Sequence, residues 1–124
     1  MDPESLSPGK QDKFQPLRNA YRAALPQRIS EICVRWASVQ RGYDTTVEQR
    51  EFQRLVHTFA GSAGTFGFHA LGDMARELED FLNESDDGPK DQRHAEIERR
   101  LAMLRSLAQA QEVSRSMSAK EEKW

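Results

Sequence analysis

Apolar residues recur at helical spacing through successive stretches of this 124-residue chain, and nowhere do they alternate as a half-buried strand requires. Leu17, Ala20, Tyr21, Ala24 and Leu25 keep that spacing up to Pro26. A proline cannot continue a regular helix but can start one. The pattern predicts a short helix over 16–25 and a second over 26–41 that buries Ile29, Ile32, Cys33, Trp36 and Val39. Gly42 is a natural stop, and Asp44, Thr45 and Thr46 are candidate N-caps, with Thr45 and Glu48 at capping-box spacing. A helix over 46–64 follows, then a turn at Thr65, Phe66 and Gly67. Over 69–84, Leu71, Met74, Ala75, Leu78, Phe81 and Leu82 form one inward face. Asn83 to Asp91 is dense in breakers and reads as a loop. Beyond Pro89 a last helix aligns Ile97, Leu101, Leu104 and Ala108, leaving Glu96, Glu98, Arg99, Arg100 and Arg105 outside.

Four helices joined by short turns predict an all-α fold, an antiparallel up-down-up-down four-helix bundle over residues 14–112. A short additional N-terminal helix is expected to pack across one end. Residues 1–13, with two prolines, a glycine and no periodicity, read as a disordered lead-in, and 113–124 as a frayed tail or linker.

With 31% charged residues and a net charge of −2, acids and bases interleave, which excludes a nucleic-acid footprint. No apolar run spans a bilayer, and no leader pattern is present. The single cysteine, Cys33, excludes an intrachain disulfide and reads as a small core hydrophobe. A monomeric cytoplasmic domain with no membrane and no nucleic-acid partner is expected.

The most informative stretch is His57 to Leu71, HTFAGSAGTFGFHAL. On a helical wheel at about 100° per residue, Phe52, Leu55, Val56, Phe59 and Ala63 gather on one side. His57 falls roughly 140° away, facing water, with Gln53 and Arg54 before it and Ala60, Gly61 and Gly64 after it. Each interior glycine costs about 1 kcal/mol relative to alanine. Two glycines beside an exposed imidazole therefore suggest close approach of a partner's backbone or loop. The bland alternative is a fraying helix end with an ordinary surface histidine.

The stretch resembles the signature of histidine-containing phosphotransfer (HPt) domains: His, two residues, usually Lys, Gly, Ser or Ala, Ala, three residues, Gly, three residues, Leu. His57, Gly61, Ser62, Ala63, Gly67 and Leu71 match, and Ala63 to Phe68 is similar to the phosphotransfer domain of chemotaxis kinases. The resemblance implies a phosphoryl carrier with His57 as acceptor, Nε2 as the phosphorylated atom, and a receiver-domain aspartate as donor or recipient. It implies no ATP-dependent kinase activity and no cofactor in this chain, with Mg²⁺ held by the partner receiver. One position departs: Ala60 stands where the family usually has a lysine that helps hold the phosphoryl group.

Another cation is then to be sought. Arg54, one turn before His57, is the first candidate and Arg50, two turns before, the second. The resemblance to the chemotaxis-kinase branch also places Arg76 and Glu79 near the histidine. All four have the alternative of being solvated helix charges. The face of Gln53, Arg54, Ala60, Gly61 and Gly64 is the expected receiver dock. The rival is an HPt-like bundle that binds without being phosphorylated, as the missing lysine permits. Other chemistries fail: GSAGTFG lacks the P-loop lysine, GSAG is not a nucleophile elbow, and His57, His69, His94 and Cys33 lack metal-ligand spacing. His69 and His94 read as surface histidines, and Phe66 and Phe68 as core at the bundle end.

Overall fold

The computed structural model describes residues 3–42, 45–84 and 88–122, with side chains over 14–42, 46–84 and 88–111. Four helices follow one another: α1 (Pro3–Arg41), α2 (Thr45–Thr65), α3 (His69–Leu82) and α4 (Lys90–Glu122). No strand occurs among the described residues. Each helix packs on two others, α1 with α2, α2 with α3, α3 with α4, and α4 back on α1. Side-chain pairings fix the directions. Tyr21 meets Ser62 while Arg35 meets Glu48, so α1 and α2 are antiparallel. Arg93 reaches the Leu82 carbonyl while Arg100 faces Glu77, and Gln40 meets Glu98 while Cys33 meets Arg105. Neighbours alternate in direction around the ring, which is the bundle expected from the periodicity.

The inward stripes meet in one core, whose largest fully buried side chains include Phe52, Leu25, Ile32 and Leu71. Glycine geometry sets the turns. Gly42 at φ +71° ends α1. At the end of α2, Gly67 at φ +89° donates to the Gly64 carbonyl at 3.1 Å, and Phe68 donates to the Ala63 carbonyl at 2.8 Å. This is a Schellman termination, with its left-handed position filled by the residue that adopts it most cheaply. The cap candidate Asp44 lies outside the described residues. Glu48 carries its carboxylate to Arg35 at 2.8 Å, tying α2 to α1.

Three expectations about boundaries are corrected. There is no separate N-terminal helix across the bundle end, because α1 runs straight through Pro26. Pro26 removes one backbone hydrogen bond, at about 3 kcal/mol. Tyr21, Leu25, Ile29 and Ile32 lie on one continuous buried stripe across it, each contributing about 1.5–3 kcal/mol. Residues 3–13 are helical too, as are 113–122, extending α1 and α4 in place of an irregular lead-in and a frayed tail. Extending an existing helix fixes one residue per hydrogen bond and avoids the cost of nucleation. Leu17, expected on the stripe, is 54% exposed, because α2 has ended at its level.

Candidate functional site

His57 projects from α2 with its side chain 73% exposed. Its Nδ1 lies 2.5 Å from Oε2 of Glu79 on α3. A carboxylate only accepts, so in the neutral ring Nδ1 carries the proton and donates to Glu79, while Nε2 keeps its lone pair and faces solvent. Glu79, with its side chain only 22% exposed, thereby orients the ring.

The helices must come close for a glutamate to reach that ring. A Cβ at Gly72 of α3 would lie 3.1 Å from the Ala60 carbonyl oxygen and 3.2 Å from the Gly64 nitrogen. Gly72 therefore lets the two backbones touch. Sequence reasoning passed over Gly72, although a glycine on an apolar helix face is itself the signal for close approach.

This contact corrects one member of the bare surface. Ala60 is not beside His57 on an open face but 2% exposed, covered by α3. Gly61 is exposed and Gly64 half-buried, and a Cβ at either would meet nothing within 4 Å. Gln53 is half-buried one turn before the ring, and Arg54 is exposed.

Of the four candidate stabilising residues, only Glu79 is brought against the imidazole. Arg54 grips Glu51 through Nε and Nη2 at 3.2 and 2.9 Å, which holds the Glu51 carboxyl below the usual carboxylate range. Arg76 pairs loosely with Asp73 at 3.4 Å. The register that sets His57 against Glu79, and Gly64 against Gly72, leaves Arg76 level with Ala60. Arg50 is exposed on α2, two turns before His57.

On the other flank of α2 the signature serine acts structurally. Ser62 Oγ donates to the Phe59 carbonyl at 3.3 Å, so the Tyr21 hydroxyl donates to Ser62 at 2.6 Å. Burial pushes the Tyr21 hydroxyl above its ordinary pKa, opposed by its bond to Ser62. Tyr21 stacks on Phe66 and Phe68 at centroid distances of 4.8 and 5.7 Å, so these phenylalanines are core at the bundle end. His94 is not a plain surface residue. It is half-buried, with its ring edge-on to Trp36 at 4.9 Å. His69 is exposed, and Cys33 is half-buried, accepting from Arg105 at 3.2 Å. Among the described residues no group of ligands could hold a metal, and no helix is long and apolar enough to cross a membrane.

An exposed nucleophilic nitrogen oriented by a carboxylate from the next helix is an arrangement for carrying a group. The profile of the family described as Hpt domain matches residues 16–113. The chain belongs to the Hpt domain family. Members are histidine phosphotransfer domains of phosphorelays, and in general they interact with receiver domains. No curated protein and no solved structure gives a significant match.

Proposed function

We propose that this Hpt domain carries a phosphoryl group on Nε2 of His57 and exchanges it with the aspartate of a receiver domain in the cytoplasm. The observation that carries the reading is the Glu79 contact, which favours the tautomer with the proton on Nδ1 and so leaves the Nε2 lone pair free on an exposed ring. The Nε2 lone pair attacks phosphorus in line, the bond from phosphorus to the aspartyl oxygen breaks, and the carboxylate departs. The ring then holds the Nδ1 proton and the Nε2 phosphoryl group together, and Glu79 offsets its positive charge. The reverse sequence delivers the group. Phosphoryl transfer of this kind depends on positioning and charge neutralisation, and the Mg²⁺ belongs to the receiver. The chain acts as a monomeric carrier over residues 14–112, with Gln53, Arg54, Gly61 and Gly64 under the receiver.

With alanine at position 60, Arg76 is the best-placed cation to reach the phosphoryl group. It is level with that position, and its exposed pair with Asp73 is weak. Arg54 would first have to release Glu51. The rival reading, a binding module that is never phosphorylated, is favoured by Ala60 alone. Incubation with a phosphorylated receiver decides: an acid-labile, base-stable label on the wild type that is absent from His57→Gln supports the carrier. Receiver binding without label transfer would overturn it.

A further inference from the structure

Charge is unevenly divided between the two helices that flank α2. Residues 14–41 of α1 hold five arginines and one glutamate, whereas α3 holds Asp73, Glu77, Glu79 and Asp80 against Arg76 alone. α2, which carries His57 on its α3 side, thus lies between a basic helix and an acidic one.

The arginines of α1 also differ in how they are held. Arg35, Arg54, Arg76, Arg99 and Arg100 each face a carboxylate within 4.0 Å. Arg18 and Arg28 face none among the described residues. Arg18 donates through Nε to the Phe66 carbonyl at 3.2 Å, and Arg28 lies over the Tyr21 ring, 4.8 Å from its centroid. A carbonyl and a ring face orient a guanidinium without neutralising it. Two oriented, exposed and uncompensated charges therefore lie on α1 together with the apolar Leu17 and Phe14, which are 54% and 64% exposed.

We propose that this α1 edge, Leu17, Arg18 and Arg28, receives the acidic rim of the receiver's aspartate pocket and swings the docked partner toward α1 and away from α3. The proposal rests on the phosphotransfer function above and specifies its partner surface. A pocket that holds Mg²⁺ is built from carboxylates, so its rim is drawn to the α1 side and repelled by α3. The reach is sufficient. The register of α1 on α2 sets Arg28 level with Leu55, within a turn of His57, and Arg18 beside Phe66. Arg28, about two residues along the axis and about one helix width of 10 Å across from the ring, falls inside the roughly 16 Å radius of a standard interface patch of about 800 Å². Arg18, nine residues or about 13.5 Å along the axis, falls at its rim.

The test is the second-order rate of label transfer from a phosphorylated receiver, with Arg18→Glu/Arg28→Glu compared with wild type. At about 50 mM salt the rate should fall at least about tenfold, and near 0.5 M salt the difference should shrink below about twofold. Arg18→Gln/Arg28→Gln should show an intermediate loss with an unchanged helical circular-dichroism spectrum. Asp80→Lys, on the opposite flank, should not slow transfer. A double reversal within twofold of wild type at low salt overturns the proposal. So does intact transfer accompanied by lost binding to anionic vesicles or oligonucleotides, which would assign the edge to a different acidic surface. Titration with unphosphorylated receiver reads the same surface without any chemistry. A wild type that binds with this salt dependence but takes no label would refute phosphotransfer and leave the dock standing.

Discussion

The two seams on either side of α2 are built on opposite plans. Between α1 and α2 the gap is filled with rings: Tyr21 against Phe59, Phe66 and Phe68, and Trp36 against Phe52 at 5.3 Å. Between α2 and α3 almost nothing intervenes, since Ala60, Gly64 and Gly72 bring backbone to backbone. The wide seam buries large apolar surface and supplies stability. The narrow one sets a distance, so that Glu79 spans from α3 to the imidazole. One flank of the same helix serves the fold, and the other orients the exposed imidazole.

The largest effect should come from the wide seam. Phe59 is 3% exposed, and Phe59→Ala should cost about 3–5 kcal/mol by thermal or denaturant melting. The narrow seam should respond to addition, not removal. In Gly72→Val the new side chain meets the Ala60 carbonyl and the Gly64 nitrogen, backbone groups that cannot rotate away. The expected loss is about 1–3 kcal/mol, with slower label uptake because Glu79 is pushed off the ring. A Gly72→Val protein as stable and as fast as wild type would show that the seam sets no distance. Glu79→Gln separates the two roles: stability should stay within about 1 kcal/mol of wild type. Single-turnover uptake should slow about tenfold, or 1.4 kcal/mol in the barrier. The smallest effect is Tyr21→Phe, about 1 kcal/mol at neutral pH from the lost hydrogen bond. Because burial raises the Tyr21 pKa above the ordinary tyrosine value of about 10, the folded state keeps a proton that the unfolded chain has released. That contribution is intact below pH 10 and lost as pH rises through the folded value, so the alkaline limb of a stability profile should be shallower in Tyr21→Phe.

The helical stripes and their turns could be read from the sequence because each breaker coincides with a reversal of the chain, as at Gly42 and Gly67. Pro26 misled because a local rule was outweighed by burial on both sides of it. Ala60 misled for a geometric reason. A wheel with a single buried stripe suits a helix with one neighbour, whereas α2 lies between α1 and α3 and is covered over a wider arc. His57 stays outside even that arc, which is why its exposure was legible. The Glu79 contact was legible only through the family resemblance, since spacing along α3 says nothing about its register on α2. That register is set by Gly72, a residue whose contribution is the absence of a side chain.

Gly61, one turn beyond the imidazole, has open space where a methyl group would fit and none to fill it. The helix forgoes about 1 kcal/mol of local stiffness there. α2 is therefore more compliant beside the exposed imidazole, and its amides there should exchange with solvent sooner than those near Phe52. A partner closing over the ring meets a surface that yields to its shape.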